Sequence, residues 1–131
     1  MSCVADEYSN FVAVDDIKLN GRLTLGENTA DNGGMRLAYM AFLARAAEQG
    51  LDLDRKTADG YSPIQQVFLG FAQDWCAVWR PELERLVATT DPHSPDRFRA
   101  NGVLVNMPEF AKAFSCKKGQ PMVAAKACRV W

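Results

Sequence analysis

Two carboxylates one helical turn apart are the first side chains in the sequence whose types and spacing could do chemistry. Glu27 and Asp31 lie in the segment Leu23–Gly34, and on a helix residues with this spacing share one face. Two negative charges this close repel each other unless a positive group lies near them. Either both are carboxylates favoured by the dipole at a helix N-terminus, or Glu27 binds a metal ion and Asp31 orients another ligand of that metal.

A second set of candidate residues lies in the segment Asp91–Arg99, Asp-Pro-His-Ser-Pro-Asp-Arg-Phe-Arg. His93 comes just before a proline that favours a helix start, which places Arg99 within about the first turn and a half of that helix. A lone loop histidine and a helical arginine are commonly solvated surface residues. If the two side chains converge, however, an imidazolium and a guanidinium form a clamp for an oxyanion or a carboxylate.

The longest element that must position these groups is a helix after residue 26. Apolar residues recur there at spacings of three and four: Leu37, Met40, Ala41, Ala44 and Ala47. This pattern predicts one face of a helix that runs from about Glu27 to Gln49 and stops at Gly50. Gly33 and Gly34 each cost about 1 kcal/mol of helix propensity. The helix therefore needs tertiary support there, or another backbone comes close to the glycines.

Turn and capping residues predict further short helices. Ser62-Pro63-Ile64-Gln65 has the form of a capping box, and the apolar face that follows includes Trp75, for which core packing is the simplest interpretation. Pro81 starts another helix, Ser94-Pro95 a third with Gly102 as its C-terminal cap, and Asn106-Met107-Pro108-Glu109 a fourth. The first residues resemble a polar loop, and strand signals are weak, at 10–14 and 102–105. We predict a mostly α fold with short connections.

Composition excludes several classes of protein. A length of 131 residues indicates one domain, and 48% apolar with 24% charged residues is typical of a globular chain. Fifteen basic and sixteen acidic side chains argue against a nucleic-acid partner. No stretch approaches the roughly 20 apolar residues that span a bilayer, and Asp6 and Glu7 interrupt any signal-peptide core. With a single histidine, the chain cannot form a self-contained, histidine-rich zinc site.

The four cysteines lack the short spacing of a metal site. They are Cys3, Cys76, Cys116 and Cys128. Such widely spaced cysteines form two disulfides in an exported protein or remain buried thiols in a cytosolic one. Their spacing alone leaves both possibilities open.

Several patches of the sequence together resemble the C-terminal part of the neprilysin and endothelin-converting-enzyme family of zinc metalloendopeptidases. The patches are Leu19–Gly34, Phe71–Cys76 (Phe-Ala-Gln-Asp-Trp-Cys), Asp91–Arg99 and the final Cys-Arg-Val-Trp, and they occur in the family's order from Cys3 to the last residue. The resemblance implies that residues 1–131 are the helical C-terminal portion of a gluzincin-type metallopeptidase catalytic domain.

The resemblance also implies a role for each candidate residue. Glu27 would be the third zinc ligand, and Asp31 would hydrogen-bond a zinc-bound histidine. His93 would stabilise the tetrahedral oxyanion, and Arg99 would hold a substrate carbonyl. Trp75 would line the pocket for the side chain that follows the scissile bond.

Two substitutions and one absence depart from the family pattern. Asp74 replaces an apolar residue beside the pocket position, and Thr29 replaces an isoleucine between the two carboxylates. The His-Glu-x-x-His helix, which carries the other two zinc ligands and the general base, does not occur in this sequence. We therefore expect zinc not to bind tightly to this chain alone and the chain to be inactive without an N-terminal part.

Two kinds of protein are compatible with that absence. The chain is either part of a larger peptidase acting on peptides, as a fragment or truncated gene model, or a non-catalytic pseudoenzyme or binding module that complements a separate chain. In either case the helix faces around Glu27 and Trp75 would be left exposed, and we expect aggregation or loose packing.

The resemblance implies a disulfide between Cys3 and Cys128. It assigns the partners of Cys76 and Cys116 to the N-terminal region that this sequence lacks. A disulfide would place the parent protein in an oxidising, extracytoplasmic compartment.

Overall fold

Six helices and one short hairpin form residues 2–131, the part of the chain that the computed structural model describes. The helices are α1 (Ser2–Tyr8), α2 (Leu25–Glu48), α3 (Pro63–Asp74), α4 (Pro81–Thr90), α5 (Asp96–Leu104) and α6 (Pro108–Ala113). The antiparallel hairpin pairs β1 (Val12–Val14) with β2 (Ile17–Lys18). The predicted mostly α fold is confirmed. Within residues 2–131, no helix is long and apolar enough to cross a membrane.

Helix α2 begins two residues before its predicted start and runs through both glycines without a break. A Cβ atom on Gly33 would collide with the indole ring of Trp131. The glycine therefore makes room for a side chain rather than for another backbone. A Cβ atom on Gly34 would meet no atom within 4 Å in residues 2–131.

The apolar face predicted for α2 is not the face that this chain buries. Leu37 and Met40 are 56% and 53% exposed, whereas Met35 and Tyr39 are buried. The buried face carries Met35 and Tyr39, which pack in one hydrophobic cluster with Phe68 of α3 and with Val103 and Leu104 of α5. The predicted periodicity correctly identified the helix, and its apolar stripe faces outward in the described chain.

Helix α3 has the predicted capping box. The backbone N–H of Gln65 donates to Ser62 Oγ at 3.4 Å, and the backbone N–H of Ser62 donates to Gln65 Oε1 at 3.0 Å. Gln65 Nε2 also donates to the carbonyl of Ala113 at 2.9 Å, which connects α3 to the end of α6. Phe68 fills the space between these helices and is fully buried.

The C-terminal end of α5 differs from what the sequence indicates. Gly102, predicted as its C-terminal cap, lies inside the helix, which continues to Leu104. The weak strand signal at 102–105 does not correspond to a strand, because most of this segment forms the last turn of α5. Val103 and Leu104 are buried in the core, so packing of an amphipathic helix outweighs the β propensity of this apolar run. A Cβ atom on Gly102 would lie 2.5 Å from the hydroxyl oxygen of Tyr8.

The N-terminus and the start of α6 also differ from the prediction. The residues predicted as a loop form α1, which buries Val4, Ala5 and Tyr8. Met107, not Asn106, is the N-cap of α6, and no side chain caps it. Asn106 is instead buried and hydrogen-bonded elsewhere. The weak strand signal at 10–14 corresponds to β1.

The disulfide joins the two ends of the chain at one of two hydrophobic clusters. Cys3 and Cys128 are bonded, with their Cα atoms 5.5 Å apart and a sequence separation of 125, which is the pairing that the resemblance implies. Closing a loop of this length stabilises a fold by about 5 kcal/mol in the chain-entropy model. Cys128 packs with Val4 and Tyr8, while the second cluster surrounds Phe68 and Val103.

We expect Gly102→Ala to lower the free energy of unfolding by about 1–3 kcal/mol, because overpacking a filled core forces buried groups apart. Tyr8 is fully buried and cannot move away from the new methyl group. Gly70→Ala in α3 is the matched control, since a Cβ atom there would meet no atom of the described chain within 4 Å. It should stabilise the helix by about 0.5–1 kcal/mol. Urea unfolding measures both variants, and equal stability of the two would contradict the packing of Tyr8 on Gly102.

Candidate active site

The structure brings Glu27, Asp31, His93 and Arg99 together at the N-terminal half of α2. His93 Nε2 lies 3.4 Å from Glu27 Oε2, and Arg99 Nη2 lies 3.5 Å from the same oxygen. Arg99 Nε lies 2.6 Å from Asp31 Oδ2. The first turn of α5 therefore provides a guanidinium that offsets repulsion between the two carboxylates, and the loop before α5 places an imidazole nitrogen beside Glu27.

Arg99 is held on two sides. Its Nε and Nη2 atoms donate to the two oxygens of Asp31 at 2.6 and 2.7 Å, and the two side chains are only 14% and 12% exposed. The hydrogen bond to Asp31 raises the pKa of Arg99 above its ordinary value. The guanidinium carbon also lies 4.1 Å from the ring centre of Trp75, a cation–π contact. This arrangement fixes a permanent positive charge beside Glu27.

Asp91 orients the imidazole of His93. One oxygen of Asp91 accepts a hydrogen bond from the backbone N–H of His93 and lies 2.8 Å from its Nδ1 atom. These hydrogen bonds lower the pKa of the Asp91 carboxyl group. With Nδ1 held in this way, Nε2 points toward Glu27. Sequence reasoning did not select Asp91, although an aspartate two residues before a loop histidine has the spacing of an Asx turn.

Trp75 lies beside Arg99, whose guanidinium stacks on the indole ring. Its ring also contacts Phe71 edge-on. The indole Nε1 atom is buried and has no hydrogen-bond acceptor among residues 2–131. A buried, unpaired N–H group destabilises the folded state, so a hydrogen-bond acceptor beside this indole nitrogen would be stabilising. Asp74, the residue before it, is exposed.

A second row of polar residues on α2 escaped the sequence analysis. Asn28 and Asn32 follow the two carboxylates by one position each and are buried. Asn28 Oδ1 accepts from Ser94 Oγ at 2.9 Å, and Asn32 Oδ1 accepts from Asn106 Nδ2 at 3.2 Å. The signal that could have revealed them is the spacing of four residues that they share with Glu27 and Asp31.

The buried network continues to the disulfide and to α1. Asn106 Oδ1 accepts from the backbone N–H of Cys128 at 2.6 Å, and Asn106 Nδ2 donates to Glu7 Oε2 at 2.6 Å. Burial raises the pKa of Glu7, and the hydrogen bond from Asn106 offsets part of that rise. Burial also raises the pKa of the Tyr8 hydroxyl, which lies 3.4 Å from the Asn32 side-chain nitrogen.

A complete metal site is not formed by these residues. Among residues 2–131, no group of three His, Cys, Asp or Glu side chains is placed to hold a metal ion. A catalytic zinc site takes three protein ligands. Glu27 fits the role of one such ligand, because its carboxylate remains partly exposed beside His93. A zinc ion bound by Glu27 would need more ligands than residues 2–131 place around it.

Comparison with known proteins gives the family of this chain. The family model described as Peptidase family M13 matches residues 1–130. The chain belongs to peptidase family M13. Endothelin-converting enzyme 1 of Homo sapiens is 45% identical over 129 residues, and Neprilysin-1 of Caenorhabditis elegans is 41% identical over 131 residues. Each match covers 98% of this chain but only 16–17% of the relative.

Solved structures confirm the M13 fold. The zinc metalloprotease of Mycobacterium tuberculosis in its open state matches with a TM-score of 0.86 and 29% identity, over 99% of this chain and 20% of that one. The Haemonchus galactose-containing glycoprotein complex matches with a TM-score of 0.87 and 32% identity, over 99% of this chain and 22% of that one. The M13 chain described here therefore corresponds to about a fifth of these structures.

We expect Arg99→Lys to lower the free energy of unfolding by about 1.5–3 kcal/mol, because an ammonium group cannot make the paired hydrogen bonds to Asp31. Arg45→Lys is the matched control. Arg45 pairs with Glu48 on the exposed surface, where such pairs contribute about 0–1 kcal/mol. Thermal unfolding compares the two variants. An equal loss of stability in both would show that the Arg99–Asp31 pair contributes no more than an exposed ion pair.

The raised pKa of Glu7 predicts a pH-dependent effect on stability. The folded state binds the Glu7 proton more tightly than the unfolded state, so ionisation of Glu7 destabilises the fold as the pH rises past the ordinary glutamate range. Glu7→Gln retains an acceptor for Asn106 and removes that charge. The variant should gain stability relative to wild type as the pH rises from about 4 to about 7, a range that begins near the ordinary pKa of glutamate.

Urea unfolding at several pH values measures this difference. Glu48→Gln, on an exposed side chain, should follow the wild-type pH dependence. A constant difference between wild type and Glu7→Gln across this range would contradict the effect of burial on Glu7.

Proposed function

We propose that residues 1–131 are the C-terminal part of the catalytic domain of a zinc metalloendopeptidase and are inactive alone. The observation that carries this proposal is the convergence of Glu27, Asp31, His93 and Arg99 on one side of α2. Membership of family M13 supports zinc-dependent peptide hydrolysis as the activity of the complete protein.

Glu27 is the proposed metal ligand. A carboxylate oxygen is a common zinc ligand, and the Glu27 side chain is accessible from solvent, unlike that of Asp31. When bound, zinc polarises the substrate carbonyl and lowers the pKa of water. The remaining ligands and the general base would come from a His-Glu-x-x-His helix outside this chain.

Asp31 has two proposed tasks. Each of its oxygens accepts one hydrogen bond from Arg99. A carboxylate oxygen has a further lone pair, which can accept a hydrogen bond from a metal-bound histidine and fix the orientation of that ring. Asp31 would thus connect the substrate-binding arginine to the metal site.

His93 and Arg99 are the proposed groups that stabilise negative charge on the peptide carbonyl oxygen. Asp91 holds His93 with Nε2 facing the site, so a protonated ring donates from a fixed position. Arg99 is held by Asp31 and Trp75 and adds a fixed positive charge. Such groups stabilise a transition state because they need no reorganisation when charge develops. Trp75 is the proposed wall of the pocket that receives the side chain after the scissile bond.

An exposed apolar stripe and two free thiols support the proposal that this chain is part of a larger protein. The apolar stripe of α2 at Leu37 and Met40 is exposed, and Cys76 and Cys116 are free thiols in the described chain. The match to only 16–17% of its relatives leaves room for a partner region. We infer that this region covers the stripe and supplies the cysteine partners. The disulfide between Cys3 and Cys128 supports an oxidising compartment outside the cytoplasm.

A chimera tests the proposal. This chain replaces the matching 129-residue region of human endothelin-converting enzyme 1, and the purified protein should cleave a peptide in a reaction that a chelator blocks. Glu27→Ala should abolish both cleavage and zinc binding. His93→Ala should lower kcat by about 100- to 1,000-fold, as loss of an oxyanion donor does, while the zinc content stays unchanged.

Glu48→Ala, at the far end of α2, is the control and should leave activity and zinc content at the level of the chimera. Zinc-dependent cleavage by the isolated 131-residue chain would contradict the proposed inactivity. A folded, zinc-loaded chimera without activity would favour a non-catalytic module, and full zinc content in Glu27→Ala would exclude Glu27 as a ligand.

A further inference from the structure

A buried hydrogen bond joins α2 directly to the loop that carries His93. Asn28 is 0% exposed and Ser94 is 2% exposed. Ser94 Oγ donates to Asn28 Oδ1 at 2.9 Å, and Asn28 Nδ2 donates to Thr24 Oγ1 at 2.8 Å. The amide of Asn28 therefore has a partner at each end, and rotating it would break two buried hydrogen bonds.

The two bonded residues are the immediate neighbours of the proposed zinc ligand and oxyanion donor. Asn28 follows Glu27, and Ser94 follows His93. The Asn28–Ser94 bond consequently connects the two backbone segments whose side-chain atoms, His93 Nε2 and Glu27 Oε2, lie 3.4 Å apart.

The other contact of the imidazole cannot perform this task. Asp91, which holds His93 Nδ1, belongs to the same loop, so it orients the ring within the loop but does not fix the loop relative to α2. His93 is itself exposed and is not held by packing against a core. The buried hydrogen bond from Ser94 to Asn28 fixes the loop relative to α2.

We propose that Asn28 is a positioning residue that, through Ser94, sets the distance between the His93 imidazole and the Glu27 carboxylate. This inference rests on the proposed function for the role of His93, but the geometry can be tested without activity. Displacement of a catalytic group by about 1 Å can cost roughly 100-fold in rate. Loss of the Ser94 hydroxyl should therefore reduce turnover and leave the ligands themselves in place.

NMR of the 131-residue chain at one fixed pH tests the geometry. His93 is the only histidine, so its ring protons are assigned without ambiguity. The wild type should show a nuclear Overhauser effect between these ring protons and the Glu27 side chain, and Ser94→Ala and Asn28→Ala should lose it. Asn28→Asp keeps an acceptor for Ser94 and should retain it.

Ser62→Ala is the matched control for this experiment. It removes a serine hydroxyl that accepts a hydrogen bond at the start of α3, far along the chain from His93, and should leave the His93–Glu27 effect unchanged. Equal loss of the effect in Ser62→Ala and Ser94→Ala would show general loosening and overturn the proposal. Retention of the effect in Ser94→Ala at wild-type intensity would also overturn it.

Kinetics of the chimera separate this inference from the proposed function. Ser94→Ala should lower kcat about 10- to 100-fold, with KM and zinc content unchanged, and Ser62→Ala should change none of these quantities. An inactive parent chimera would contradict the proposed function while the NMR result still decides the positioning role. An active Ser94→Ala chimera with wild-type kcat would overturn the positioning role alone.

Discussion

The paired hydrogen bonds between Asp31 and Arg99 fix α5 against α2, and the geometry of the site depends on this contact. Helix α5 is short, and alone it would be marginal in water. The ion pair places its first turn beside the carboxylates, with Arg99 stacked on Trp75, the residue that caps the C-terminus of α3. Three helices that are distant in sequence thereby meet at one point. The remaining contacts refine this position.

The two rows of polar side chains on α2 make different kinds of contact. Glu27 and Asp31 face the imidazole of the loop and the guanidinium of α5, whereas the buried Asn28 and Asn32 hydrogen-bond to neighbouring segments inside the fold. The amide row continues through Asn106 to the backbone of Cys128. The disulfide that closes the chain is therefore hydrogen-bonded, through buried amides, to the helix that carries the candidate site. A fully paired network of this kind favours one arrangement over its alternatives.

Under the proposed function, the exposed apolar stripe of α2 and the absence of further metal ligands among residues 2–131 share one origin. The stripe of α2 at Leu37 and Met40 has an apolar pattern as regular as that of a buried face, but it is exposed in residues 2–131. The indole nitrogen of Trp75 lacks an acceptor in the same region. Under the proposed function, the N-terminal part of the peptidase would provide both the covering surface and the missing metal ligands.

Local patterns in the sequence determined helices α2 to α6, the capping box at Ser62 and the residues with suitable chemistry, since helix periodicity, proline positions and residue type are local properties. Resemblance to a family assigned roles to Glu27, Asp31, His93 and Arg99, and it implied the disulfide. Tertiary structure decided the rest. It placed Gly102, the expected helix cap, inside α5 against Tyr8, and it formed a helix where the sequence carries a weak strand signal at 102–105. It also buried Asn28 against Ser94. Where α5 ends, whether an apolar run forms a strand, and which amide is buried each depend on partners far away in the chain, and spacing in the sequence does not specify which partners will pack together.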